Sequence, residues 1–430
     1  MFVLIFGAFI VAAIFAVVYL VFKFKRLITS FKPADNGNKT EEKQEFSIDN
    51  VPDPEPDSPA EEETEEIRDE LSEGTADDVE VTVDMTPTTE PEIYEDMAPA
   101  RGPILPWIIA AILVSPLVIY ALLDTVNGVL VIVNVMCAWI MFDIIFWIIK
   151  KIRKKDFKIY LAGIFAIVYS IAYLGSGWYF AHHVVETDYN LSTAKSIGGN
   201  LKIAQISDSH IGATMDGDGF AKHMETIQKT DPDVIAITGD YVDDGTTKED
   251  MIKGCAALGK MTAKYGKYYI NGNHDKGYYN YRDFSYEELC AELEKNGVMV
   301  LEDRWEEIAP NIVVIGRRDR SFPDRKDMKT LLENIPPEKY IIVLDHQPHD
   351  FDAQAAAKVD MVLCGHTHGG QMFPVGILGE VSGANDKTYG LETRGTTNFI
   401  VNSGIGDWEI DYKTGGAISE FGIINVKQEN

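Results

Sequence analysis

Four long apolar runs constrain this chain more than any other feature. Residues 2–22 carry no charge, and about 20 such residues suffice to cross a bilayer as a helix. Residues 104–123, 129–149 and 159–180 are runs of the same kind. Lys23, Lys25 and Arg26 come directly after the first run. A secretory signal would carry its basic residues ahead of the apolar stretch and a small-residue cleavage site behind it, so residues 1–28 read as a retained anchor. Residues 101–182 hold the other three spans, with Asp124 and Asn127 marking a short turn. Asp143 falls inside the third run, close enough to Lys150 and Lys151 to be interfacial.

Charge is distributed as unevenly as hydropathy. Residues 31–100 hold 24 Asp/Glu against 4 Lys/Arg, which is −20 of the chain's −28. Acidic, Pro/Ser/Thr-rich sequence cannot bury enough surface to offset its ordering entropy. Residues 29–100 are therefore expected to form a disordered tether. The cluster Lys150, Lys151, Arg153, Lys154, Lys155 and Lys158 should remain cytoplasmic, as should the cluster that ends at Arg26. Four spans satisfy both if everything after His182 lies outside the cytoplasm and the acidic tether inside. The chain is thus expected to be a multi-pass protein of the cell membrane. No strongly basic face is present, which argues against a nucleic-acid partner. The cysteines (Cys137, Cys255, Cys290, Cys364) show no zinc-ribbon spacing and read as buried thiols, with a Cys255–Cys290 disulfide left open.

From residue 201 the pattern changes to short β-rich runs alternating with helical stretches. Residues 202–207, 234–238, 268–271, 312–315, 340–344 and 361–364 read as buried strands. Residues 219–230, 248–265, 286–296 and 326–334 read as helices between them. This predicts an α/β layered domain over 198–430. Polar residues fall just past these strands: Asp208 and His210; Asp240 and Asp243; Asn273, His274 and Asp275; His346; His366 and His368. Open α/β sheets place ligands at those ends. Mixed carboxylate, imidazole and amide donors suit borderline divalent ions such as Mn, Fe, Zn, Co or Ni. Two such ions sharing a carboxylate would polarise a phosphoryl oxygen and generate a hydroxide nucleophile at neutral pH.

The ordered runs Asp208-Ser-His210, Gly239-Asp-Tyr-Val-Asp243, Gly272-Asn-His-Asp275, His346 and Gly365-His-Thr-His-Gly-Gly-Gln371 resemble the five blocks of the calcineurin-like metallophosphoesterases. The last run is most similar to their bacterial membrane-associated branch. The resemblance implies an α/β fold, a four-layered α/β/β/α sandwich with the metals at one edge. It implies one ion on Asp208, His210 and His368, and a second on Asn273, His346 and His366, with Asp240 bridging. His274 would then protonate the leaving oxygen or steady the charged transition state, Asp275 would orient that imidazole, and Asp243 would support the loops. Manganese is the expected ion in vitro. The expected function is hydrolysis of a phosphate mono- or diester, with a lipid-linked or cell-envelope substrate suggested by the nearby span. A metal-binding sensor without turnover, or a two-metal hydrolase of another bond such as an amide, would be the competing readings. Arg317, Arg318 and Arg320 could meet a substrate phosphate or form a solvated loop. Trp408, Tyr412 and Phe373 could line the mouth of the site or cap the core.

Overall fold

The structure, a computed structural model, describes residues 2–31, 103–277 and 281–429, without the side chains of 2–7 and 9. Met1–Phe31 and Leu105–Asn430 form one compact unit, and Lys32–Ile104 falls in another. The expected acidic tether thus lies outside the described residues, apart from residues 29–31.

Four helices come first: α1 (Phe2–Ser30), α2 (Leu105–Leu123), α3 (Thr125–Arg153) and α4 (Leu161–His182). Three of them, α2 to α4, are long and apolar enough to cross a membrane among the described residues. The expectation of four spans is corrected to three on this count. Helix α1 nevertheless packs in the same bundle, where Ala13, Ala16 and Leu20 meet Val114, Val131, Val135 and Ala166. Small side chains at such contacts let helix backbones approach closely. Asp124 caps α3 by accepting from Asn127 N at 3.0 Å. Asp143 is more than an interfacial residue, since it accepts from Lys23 of α1 and from Tyr160. All four cysteines are free, so no Cys255–Cys290 disulfide forms, and Cys137 is exposed rather than buried.

The remainder runs β1 (Val185–Thr193), β2 (Asn200–Ile206), α5 (Gly217–Gln228), β3 (Val234–Thr238), α6 (Lys248–Lys260), β4 (Lys267–Ile270), α7 (Tyr286–Lys295), β5 (Val298–Val300), β6 (Arg304–Ala309), β7 (Ile312–Gly316), α8 (Met328–Leu332), β8 (Tyr340–Leu344), α9 (Phe351–Ala356), β9 (Met361–Cys364), α10 (Val375–Val381), β10 (Gly390–Arg394), β11 (Thr397–Val401) and β12 (Glu420–Gln428). One sheet has the order β1-β12-β2-β3-β4-β5 and the other β10-β11-β9-β8-β7-β6. Both are mixed: β2 to β5 are parallel while β12 is antiparallel to β2, and β7, β8, β9 and β11 are parallel while β6 and β10 run against them.

Side-chain alternation explains the layering. In β3, Val234 and Ala236 face the second sheet, while Ile235 and Ile237 face α5 to α7. In β8, Tyr340, Ile342 and Leu344 face the first sheet, while Ile341 and Val343 pack with α8 and α9. Strands buried on both faces read as unbroken apolar runs, which is why these were visible in the sequence. The result is a two-sheet α/β sandwich with helices outside. Strand β1 starts ahead of residue 198 and completes the first sheet against β12. Helix α6 stops at Lys260, short of 265, because Met261 turns extended (ψ 146°).

Candidate metal centre

The expected site residues leave the ends of β2, β3 and β4 in one sheet and of β8 and β9 in the other. The loops are stitched together by their backbones: Asp208 N donates to Gly239 O at 3.0 Å, and His210 N to Asp240 O at 3.1 Å. Asp208, His210, Asp240, His366 and His368 all have left-handed backbone, with φ between 39° and 73°. Such backbone is uncommon outside glycine, although Asp and His tolerate it better than most. Strain of this kind gathers where side chains must be aimed. Two glycines are needed for close approach. A Cβ on Gly365 would lie 2.2 Å from Asp208 Oδ2, and one on Gly272 2.1 Å from Asp240 Oδ1.

These turns bring the side chains into two clusters. Asp208, His210 and His368 converge, as do Asp240, His346 and His366, each set with ligand atoms within 4.8 Å of one another. Asn273 Oδ1 joins the second cluster, 3.2 Å from His346 Nε2. Asp240 Oδ2 lies between the clusters, 3.1 Å from His346 Nε2 and 3.7 Å from His210 Nε2. Asp208 is held by His366 N, at 2.9 and 3.0 Å from its two oxygens. Every one of the seven expected metal residues is therefore brought to this rim.

The arrangement fits divalent cations. His210 Nε2 is buried with no hydrogen-bond partner, a cost that an ion on this nitrogen would remove. Asp208, Asp240 and Asp243 crowd negative charge into a buried pocket, which repels itself without a cation. Burial, and then the neighbouring His346, pushes His366 down to about 4, so its imidazole is a free donor at neutral pH. For His210, burial pulls downward, but the hydrogen bond to Asp243 and the charges of Asp240, Asp243 and Asp208 outweigh it and lift the group to about 9.

The roles expected for the two supporting carboxylates are exchanged. Asp243 Oδ1 lies 3.0 Å from His274 Nδ1, and its other oxygen 3.2 Å from His210 Nδ1. Asp275 instead accepts backbone amides: Tyr241 N and Val242 N on Oδ1, and Gly272 N on Oδ2. It braces the turns after β3 and β4, whereas Asp243 orients His274. Burial would raise Asp243, but hydrogen bonds from His210 and His274 hold it well below the carboxylate range, so it stays ionised.

One residue of the site went unforeseen. Asp407 Oδ1 meets His368 Nδ1 at 3.0 Å, and the fully buried Lys413 supports it from 3.1 Å. A partner on the far nitrogen fixes the tautomer and direction of a ligating imidazole. The run Gly-Ile-Gly-Asp407 after β11 has the same strand, glycine and carboxylate order as the other blocks, which was the signal available. Trp408 lines the site beside His274, with ring centroids 6.0 Å apart. Tyr412 packs against the helical bundle, and Phe373 is exposed. Arg317 is buried against Asp345 at 2.8 Å, and Arg318 pairs with Asp324 at 2.7 Å. Both are occupied within the protein.

Residues 201–370 match the family of calcineurin-like phosphoesterases. An uncharacterized metallophosphoesterase of Aquifex aeolicus is 32 % identical over 197 residues, covering 44 % of this chain and 71 % of that protein. One of Bacillus subtilis is 27 % identical over 270 residues, covering 60 % and 92 % respectively. A transmembrane protein with metallophosphoesterase domain from Danio rerio is 30 % identical over 198 residues, but this chain spans only 44 % of its length. At the identity and coverage of the Aquifex protein, with the blocks in register at the strand ends, the chain belongs to the calcineurin-like metallophosphoesterases, metal-dependent hydrolases of phosphoesters.

Proposed function

We propose that this chain hydrolyses a phosphate mono- or diester on the extracytoplasmic side of a membrane, with two divalent ions and His274 at the reacting centre. Asp208, His210 and His368 would hold one ion, and Asn273, His346 and His366 the other, with Asp240 between them. When bound, the ions polarise a phosphoryl oxygen and lower the pKa of water. The chain's own residues do the rest. Asp243 accepts from His274 Nδ1, and Nε2 of that ring would pass a proton to the departing oxygen. A water oxygen bonds to phosphorus, the ester P–O bond breaks, and the alcohol leaves with that proton. Asp407 fixes the ring of His368 so that its Nε2 faces Asp208, 3.6 Å away. The observation that carries this reading is His210 Nε2, buried without a partner between Asp208 and Asp240.

The bundle supports the orientation. Lys23 pairs with Asp143 near one end, and Arg26 lies 4.2 Å above the Tyr160 ring there. The C-terminal end of α3, with Lys150, Lys151 and Arg153, is close by. The sandwich meets the opposite end, where Asn127 donates to Glu409 O at 2.9 Å and accepts from Asp411 N at 2.9 Å. A cytoplasmic basic end would put the metal centre outside. The substrate would be a lipid-linked or envelope phosphoester, and manganese the ion to try first. The test is turnover of bis-(p-nitrophenyl) phosphate and p-nitrophenyl phosphate by the full chain in detergent, with Mn and with chelator. Mn-dependent release supports the reading, and the preferred ester separates diesterase from monoesterase. Full metal loading without turnover on either ester sinks it.

A further inference from the structure

The exposed apolar surface of the sandwich is concentrated in one place. Phe373, Val375, Ile377, Leu378 and Val381 are between 56 and 81 % exposed, and α10 has no buried residue. Elsewhere in the sandwich the other exposed large apolar residues are Ile252, Met299, Trp305 and Leu391, only 37 to 41 % exposed, and Tyr281, 79 % exposed; scattered exposure of this kind is ordinary for a protein surface. Five large apolar side chains in nine residues form a patch of the kind that marks a contact. The only charged residue of α10, Glu380, is engaged by Thr388 N at 2.7 Å.

The patch hangs from the end of a span. Gln371, two residues before Phe373, accepts from Thr414 N at 2.6 Å and Gly415 N at 2.9 Å, and its side chain donates to Ile410 O and Tyr412 O. Lys413 N then donates to Gly177 O of α4 at 2.9 Å. A Cβ on Gly177 would stand 2.5 Å from Thr414 Cγ2, so the two chains touch. Gly177 is five residues before the end of α4 at His182, roughly 7 Å of helix rise. Trp178, Tyr179 and Phe180 follow it, 52, 48 and 37 % exposed, an aromatic band of the type found at headgroup level. The segment that carries α10 is thus fastened beside the last turns of a membrane-crossing helix. At the other end of the same loop stand His366 and His368.

Building on the phosphoester reading above, we propose that Phe373 and α10 enter the bilayer crossed by α2 to α4 and set the metal centre at headgroup depth, so that the substrate is a phosphoester of a membrane-embedded amphiphile. The occupant of the patch is lipid, because its anchor points are backbone hydrogen bonds to the flank of a span. The one charged side chain on α10, Glu380, is exposed and would have to stay among the headgroups. Insertion would place the apolar tail of the substrate alongside the patch and its phosphate beside His366 and His368.

Depth can be read without any knowledge of the substrate. The full chain, with Cys137→Ser and Cys290→Ser, is placed in nanodiscs of phosphatidylcholine and phosphatidylglycerol. An environment-sensitive fluorophore is attached at Leu378→Cys, or at Lys295→Cys on α7 as the comparison. A nitroxide-labelled phosphatidylcholine should quench the label at 378 and spare the one at 295; equal quenching at the two sites overturns the proposal. In the second arm the variant Ile377→Ser/Leu378→Ser/Val381→Ser meets bis-(p-nitrophenyl) phosphate and the amphiphile hexadecyl p-nitrophenyl phosphate in vesicles. Turnover of the soluble ester should be unchanged, while the amphiphile should be hydrolysed about tenfold more slowly, the equivalent of one large side chain's burial. A wild type inert on both esters refutes the phosphoesterase reading and leaves the quenching result to judge insertion. A wild type active on both, with the variant unaffected, overturns the present inference alone. If the variant instead converts a dimer to a monomer in detergent with no quenching at 378, the patch binds a second copy and the proposal falls.

Discussion

The helical bundle and the sandwich rim each bury carboxylates among potential partners, and they do so to opposite effect. In the bundle, Asp143 is matched by the Lys23 ammonium and the hydroxyls of Tyr160 and Tyr19. Its charge is neutralised by the protein itself. At the rim, Asp208, Asp240 and Asp243 crowd around histidines with no Lys or Arg among them, and His210 Nε2 is buried with no hydrogen-bond partner. Five of the residues there accept left-handed backbone. A satisfied cluster holds helices together. An unsatisfied one, held in strained backbone, is a place for something the chain does not itself supply.

That contrast can be broken by substitution. Asp240→Asn should have the largest effect, lowering both metal content and turnover, the latter by roughly 10³-fold or more. Metal analysis alongside bis-(p-nitrophenyl) phosphate kinetics checks it, and retention of both would undo the bridging role. His274→Ala should lower kcat by roughly 10²–10⁴-fold while the ions stay bound, a separation that marks it as chemical rather than ligating. Asp407→Ala should weaken metal affinity by about 10–100-fold, read by titration with Mn, with kcat recovered at saturating metal. Asp143→Asn should be the mildest. It should lower the thermal midpoint, since Lys23 loses its carboxylate, yet leave turnover within about twofold because the two regions are far apart and share no partner.

Legibility in the sequence followed burial. Residues 234–238, 340–344 and 361–364 are strands covered on both faces, so their apolar runs are continuous and their limits were read correctly. β1 alternates exposed and part-buried positions, and β10 does the same; such edge strands look like polar loops. The residues expected to hold metal were legible because each follows a buried strand. The exchange of Asp243 and Asp275 was not, because both sit five residues past the end of their strands, β3 and β4, and only the backbone path decides which carboxylate reaches the imidazole. Asp407 was hidden because its strand, β11, had not been recognised. The contact of the 410–415 segment with Gly177 joins positions more than 230 residues apart, and no local pattern announces it.

The central claim is that the rim binds divalent ions and hydrolyses phosphoesters through them. Its most direct test is to strip the purified full chain with chelator, measure its metal content and bis-(p-nitrophenyl) phosphate turnover, and repeat both while Mn is titrated back. Turnover that disappears with the metal and returns as two ions bind per chain is the predicted result. Undiminished turnover by the stripped chain, or two bound ions with none, would contradict it.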